Sequence, residues 1–303
     1  VYKFFNSFKP SKYIITRHDI WPNHVVIAKK KSCKLFLINS NLPIKSNRTS
    51  ALLVSLYRFL FTKFNQVYTV SLSMKNRLET IIDSDIIKIC RDTRFDQILD
   101  RKNRNKKNIL DDSFLSSSNI IFGSIESKDI DIIFNAITNF VNKENNNCRY
   151  IFVPHEPINE LIHEIESRLD KLKLSYGRFS HSIGNVDALI IDMVGILPEL
   201  YSYSTVSYIG CGFGKGVHNV IEPAIYGNMI CFGPNYHILN EATEMINKKL
   251  AYLVNNPSDL LDVLKLINKE DKLTQHSKNI KRYLETKFDT SSIIIKQILN
   301  DEN

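Results

Sequence analysis

Short runs of β-branched and aromatic residues alternate along this chain with longer stretches of helical periodicity, which restricts it to layered α/β folds with parallel sheets. In the first part, residues 13–16, 35–38 and 66–70 read as buried strands. Crossover helices are expected over 22–31 and 46–64, a further helix over 71–82, and a short strand over 86–89. The stretch 100–118, rich in Asn, Lys and Ser with few apolar anchors, reads as a linker. A second series follows, with strands at 119–124, 150–153, 188–191, 206–209 and 228–232 and helices over 127–141, 158–171, 196–203 and 219–226. The expected fold class is α/β with two Rossmann-like domains: a partial one over 1–99, the linker 100–118, and a second over 119–303 that ends in a helical tail. The chain opens at Val1 and not at a methionine, so the first domain is expected to be incomplete, with its start upstream.

At 303 residues there is enough chain for about two cores. No apolar run reaches the ~18 residues of a membrane span; the nearest, 51–61, is broken by Arg58. The five cysteines, Cys33, Cys90, Cys148, Cys211 and Cys231, are scattered without zinc or redox spacing, which fits a reducing compartment. No carboxylate pair or histidine cluster has ligand spacing in the sequence, so no metal and no cofactor is expected. The formal charge is +8. Part of the excess is local, at Lys29, Lys30, Lys31 and Lys34 and again at Arg101, Lys102, Arg104, Lys106 and Lys107. Such runs are either solvated faces or attractors for an anionic partner. With nothing like a nucleic-acid module in the chain, an anionic membrane surface is the better candidate partner, and nucleic acid is not expected.

The stretch most informative about chemistry runs from Ile209 to Ala224, where Gly210, Gly212, Gly214 and Gly216 follow directly on a strand. Glycines let backbone N–H groups approach a ligand, and a helix starting near Asn219 would point its positive end at the same place, which together describe an anion site suited to phosphate. It is not a Walker A loop, because Lys215 is followed by Gly216 and not by Ser or Thr, and it lacks the dinucleotide fingerprint spacing. Glu222 has two readings, an acceptor for both hydroxyls of a ribose or a capping carboxylate of the first helical turn. Pro223 is tolerated there because early N–H groups have no intrahelical partner.

The run Gly216-Val217-His218-Asn219-Val220-Ile221-Glu222-Pro223-Ala224, followed by Tyr226-Gly227 and Phe232-Gly233-Pro234-Asn235-Tyr236, resembles the donor-site motif of the 3-deoxy-D-manno-octulosonic acid (Kdo) transferases. Three further segments resemble that family in the same order: His18-Asp19-Ile20-Trp21-Pro22-Asn23, Asp92-Thr93-Arg94-Phe95-Asp96 at the hinge, and Val153-Pro154-His155-Glu156. The resemblance implies a GT-B type glycosyltransferase that moves Kdo from CMP-Kdo to a sugar hydroxyl of the lipid A precursor, lipid IVA, with inversion. It would act in lipopolysaccharide synthesis at the cytoplasmic face of the bacterial inner membrane.

On this resemblance His155 and Glu156 line the cytidine side, and Glu222 holds the ribose. The N–H groups of Gly214 and Gly216, with the helix start at Asn219, receive the departing phosphate. Lys215 pairs with the phosphate or the Kdo carboxylate, or is a solvent-facing loop residue; His155 is alternatively a packed strand-end histidine. Gly195, Gly212 and His218 complete the donor side. Asp19, Trp21, Pro22 and Asn23 form the acceptor side, and Arg94 the hinge. Three departures stand out: Ile196 where many members carry an acid, Arg17 where many carry Glu, and Asn39-Ser40-Asn41-Leu42-Pro43 without the usual Arg and Ser. The family's catalytic glutamate, which takes the acceptor proton, is expected upstream of Val1. The competing readings are another GT-B transferase or a nucleotide-sugar epimerase, separated by nucleotide preference, and a non-catalytic nucleotide-sugar-binding relative.

Overall fold

The computed structural model describes residues 1–17, 19–42, 50, 53–104, 108–143, 148–181 and 184–300, with the backbone alone at 142 and 143. It divides into two compact units, Val1–Gln97 with Lys287–Asn303, and Ile98–Thr286.

The first unit is built on a four-stranded sheet, β1 (Lys12–Thr16), β2 (Lys34–Ser40), β3 (Gln66–Thr69) and β4 (Ile87–Ile89), in that order and parallel throughout. Parallel neighbours need crossovers, which the helices Pro22–Lys30, Val54–Phe61 and Leu72–Leu78 supply. Val25, Ala28, Leu35, Leu37, Leu60, Phe61, Val67 and Leu78 form the core on one face. On the other face, Ile294 and Ile298 from the helix Thr290–Asn300 pack against Phe36 and Tyr68. The Ser291 N–H donates to Asp96 Oδ2 at 2.6 Å. The tail expected to close the second domain is therefore part of the first unit.

The second unit is a seven-stranded parallel sheet: β5 (Ser118–Ile125), β6 (Cys148–Pro154), β7 (Tyr176–Arg178), β8 (Ala188–Ile190), β9 (Val206–Ile209), β10 (Met229–Phe232) and β11 (Tyr252–Leu253). Their order is β11-β10-β9-β5-β6-β8-β7. The chain winds from β5 toward β7 and then returns to place β9 on the other side of β5. That reversal opens a crevice outside the carboxyl ends of β5 and β9, the usual ligand position in open α/β sheets. Strands this deeply covered read as near-continuous apolar runs, and Ile120, Phe122, Tyr150, Phe152, Ile190, Val206 and Tyr208 are all buried in the core. Phe152 stacks on Phe122 and Phe134, with ring centroids 5.1 and 5.4 Å away.

The division differs from the expected linker at 100–118. Residues 94–104 are helical, as are 112–115, and the second unit already begins at Ile98. Arg101 binds Glu199 through Nε at 2.7 Å, and Lys102 Nζ donates to the Ile225 carbonyl at 2.7 Å. These two cations of the second basic run thus have internal partners; Lys106 and Lys107 lie outside the described residues. Lys29 and Lys30 sit in the last turn of their helix, where positive charge offsets the helix dipole. Among the described residues no helix is long and apolar enough to cross a membrane.

Candidate functional site

Four parallel strands of the second unit deliver their following loops to one edge: Glu126 after β5, His155 after β6, the glycine loop after β9 and Gly233 after β10. Geometry there is set by a buried carboxylate. Asp129 Oδ2 accepts the N–H groups of Glu126 and Cys211, each at 2.9 Å, while Oδ1 accepts the Tyr208 hydroxyl at 2.7 Å. Asp129 is fully buried, and burial raises its pKa although these three donors pull the other way. It ties the turn after β5 to the start of the glycine loop.

A second tie comes from the segment after β10. Gly212 and Gly233 meet backbone to backbone; a Cβ on Gly212 would lie 2.6 Å from Gly233 Cα. Asn235 N–H donates to the Gly212 carbonyl at 2.9 Å, Val217 N–H to the Asn235 carbonyl at 3.0 Å, and Asn235 Nδ2 to the Gly214 carbonyl at 3.0 Å. The two motif segments 209–224 and 232–236 are therefore one structural piece.

One role expected for this loop is corrected. The N–H groups of Gly214 and Gly216 both donate to the Cys211 carbonyl at 3.0 Å, so they do not face an anion. Gly216 is needed for its backbone, at φ 119°, whereas a Cβ on Gly214 would meet only Glu126 Oε2 at 2.7 Å, the tip of a side chain that can swing aside. Among the described residues of this loop the N–H groups of Gly212, Phe213, Lys215, His218, Asn219 and Val220 have no protein partner, so those of Lys215 and His218 are among the donors open to a ligand. The helix is also shorter than expected, Ile221–Tyr226, with Asn219 ahead of it; Asn219 Oδ1 accepts from Ile221 N–H at 2.9 Å. An element this short adds little dipole of its own.

A cavity of about 330 Å³ opens at this edge, lined by Glu126, Lys128, His155, Glu156, Leu161 and Lys215 among others. His218 closes onto it, its ring stacked on that of His155 with centroids 4.3 Å apart. Loss of solvent around the His218 ring lowers its pKa, and the adjoining His155 adds to the effect. His155, Glu156, Lys215 and His218 are thus brought together. Cys211 lies beneath them, and the ligand atoms of His155, Cys211 and His218 are all within 4.8 Å of one another. This convergence of metal-ligating atoms is invisible to sequence spacing.

Glu222 and Gly195 belong to a neighbouring cluster. Arg101 donates to Glu199 and to the Gly195 carbonyl, at 3.3 Å for the latter. Glu222 is half-buried; burial raises its pKa, Glu199 adds to the rise, and Arg101 with the Asn219 hydrogen bond opposes it. Glu126 and Asp129 were missed by sequence reasoning, since a carboxylate at a helix start reads as an ordinary first-turn residue.

In the first unit, Asp19, Trp21, Pro22 and Asn23 line a cavity of about 460 Å³ with Tyr13 and His24, whose hydroxyl and Nδ1 are 2.8 Å apart. Pro22 opens its helix and Trp21 is 65% exposed. His18 and Pro43 lie outside the described residues. Arg94 forms a two-nitrogen clasp on Asp92, at 2.9 and 2.6 Å, just before the division of the chain at Gln97. Thr93 exchanges hydrogen bonds with Asn39, so this segment fastens the carboxyl ends of β2 and β4.

Residues 1–97 match the family model described as 3-deoxy-D-manno-octulosonic-acid transferase (kdotransferase). Over 293 residues the chain is 25% identical to the 3-deoxy-D-manno-octulosonic acid transferase of Rickettsia typhi, covering 93% of this chain and 62% of that protein. Over 276 residues it is 28% identical to the Chlamydia muridarum protein of the same name, covering 89% and 63%. The chain thus spans less than two thirds of the length of these relatives. In fold it is similar to UDP-GlcNAc 2-epimerase from Neisseria meningitidis, with a TM-score of 0.72 at 14% identity over 99% of this chain and 79% of that one. Two Rossmann-like parallel α/β units of the GT-B type are what the sequence implied.

Proposed function

We propose, from the premise that this chain is a divergent relative of the Kdo transferases, that it carries the donor site of a Kdo glycosyltransferase. The observation that carries the reading is the cavity outside β5 and β6, where Lys215 and His155 meet beside the glycine loop at the strand-order reversal. Lys215 and the backbone N–H groups of Lys215 and His218 receive the CMP phosphate and stabilise its charge as the sugar leaves. His155 and Glu156 lie on the cytidine side, and Glu222 accepts the ribose hydroxyls. The donor is CMP-Kdo and the acceptor the lipid A precursor, transferred with inversion, with Asp19, Trp21, Pro22 and Asn23 on the acceptor side. The whole protein would work at the cytoplasmic face of the inner membrane.

Calorimetry of CMP against UDP tests the donor half, with Glu222→Ala as the diagnostic variant. A hydrogen bond to a charged group contributes roughly 1.5–3 kcal/mol, so the variant is expected to lose about ten- to a hundredfold in CMP affinity. CMP binding no tighter than UDP would favour the epimerase reading that the shared fold keeps open. CMP binding that is unaltered by the variant would remove Glu222 from the site.

A further inference from the structure

We propose that His155, Cys211 and His218 form a binding site for a borderline-soft divalent transition metal, Zn2+ being the best match to two imidazoles and a thiolate. The proposal rests on side-chain placement and stands whether or not the donor reading holds.

Three observations carry it. The first is convergence: residues far apart in sequence, after β6 and in the loop after β9, bring two imidazole nitrogens and one sulfur within 4.8 Å of one another. Ligands of a tetrahedral zinc sit about 2.0–2.3 Å from the ion, hence roughly 3.5 Å apart. The remaining ångström or so is within the reach of side-chain rotation, since both histidines are exposed and only Cys211 is fixed. The second is backbone strain. Cys211 has φ 63°, the left-handed region that favours glycine, in a loop that already supplies glycine on both sides. A β-carbon held there costs on the order of 1 kcal/mol or more, and such outliers cluster at functional sites. Glycine would remove the strain; cysteine keeps it, and the only functional group it adds is a thiol. The third is the surroundings. Glu126 lies against the Cys211 side chain, and Lys215 lines the same cavity as His155, so an ion held by three protein ligands would have room for a water or an anion oxygen as the fourth. Three protein ligands with the fourth position left to water or a ligand is a known zinc coordination pattern.

At present the Cys211 thiol donates to the Ser124 carbonyl at 3.1 Å, and burial holds its pKa well up. Binding forms a sulfur–metal bond and breaks the S–H bond; the proton leaves to water past the Glu126 carboxylate. A coordinating thiol is deprotonated outright by the ion's own charge, so the resting thiol does not forbid the site.

The experiment is a titration of the full chain, reduced, with Co2+ alone, followed by Zn2+. The expected result is a thiolate-to-cobalt charge-transfer band that saturates at one equivalent and is bleached by Zn2+. Cys211→Gly, which suits the local backbone, should abolish the band and weaken Zn2+ by on the order of a hundredfold, since even an outer-shell partner is worth roughly 10–100-fold. His218→Gln should shift the cobalt affinity by at least about tenfold while leaving the fold intact, which keeps the test open if Cys211→Gly melts early. The absence of a band in the folded chain, a band that survives Cys211→Gly, or equal Zn2+ affinity in all three proteins would overturn the site. Binding of Co2+ through Cys211 by a chain that ignores CMP would retain this site and defeat the donor reading, and the converse would do the opposite.

Discussion

Replacing Asp129 with alanine is expected to destabilise the second unit by about 3–5 kcal/mol. The side chain is completely buried and three donors converge on it, two of them backbone N–H groups of different loops. Alanine strands all three without water, and a stranded buried donor costs about 1–3 kcal/mol. For a domain of this size each kcal/mol moves the melting temperature by roughly 2–4 °C, so thermal or urea unfolding reads the loss directly. Nucleotide binding should fall with it, because Glu126 and Cys211 would no longer be held in register. A variant as stable as the parent would show that the network is not what joins the two loops.

The same carboxyl gives a pH signature with a defined sign. Burial raises its folded pKa above the unfolded value of about 3.9. A group so shifted contributes stability that is full below the unfolded pKa and is lost as pH rises through the folded one. The stability gap between the parent and Asp129→Asn, which cannot ionise, is therefore expected to be widest in acid and to narrow toward neutral pH. Urea midpoints of both proteins across that range give the comparison, and a gap that widens with pH would mean that the three donors outweigh burial.

What could be read in the sequence were the features whose cause is local. Runs such as Ile120-Ile121-Phe122 and Val206-Ser207-Tyr208-Ile209 are strands because nothing else buries β-branched and aromatic residues so densely over so few positions. The glycine loop was legible as a turn that follows a strand. Its detail was not, because whether the Gly214 N–H points at a ligand or at the Cys211 carbonyl depends on a loop conformation that residue types leave open. Tyr176–Arg178 and Tyr252–Leu253 escaped notice since a short edge strand carries too little apolar pattern to show. The return of 287–300 to the first unit was hidden for another reason. An amphipathic helix announces that it has an apolar stripe, and Ile294 with Ile298 is one, but the stripe does not say that Phe36 and Tyr68 will receive it. Asp129 and Cys211 share that fate: their meaning comes from which strands become neighbours, and the order that sets β9 beside β5 is a property of the whole sheet.

Gly212→Val is expected to disrupt the glycine loop severely. The limit is not conformational freedom but contact, because the space a Cβ needs is held by the Gly233 backbone at 2.6 Å. Neither partner is the end of a flexible side chain that can swing aside. The loops after β9 and β10 would have to separate, breaking the Asn235 N–H bond to the Gly212 carbonyl and the Asn235 Nδ2 bond to the Gly214 carbonyl. Overpacking of this kind costs about 1–3 kcal/mol and occasionally more, and here two hydrogen bonds worth about 1 kcal/mol each go with it. The unit should still fold, since its sheet and core are untouched, but CMP affinity should drop well over tenfold as Lys215 and His218 lose their common support. Gly195→Val separates contact from mere addition of bulk: a Cβ there meets open space, so only its φ of 97° is penalised, and donor affinity should suffer far less. Equal losses in the two variants would mean that the loop is tuned by backbone freedom and that the Gly212–Gly233 contact is incidental.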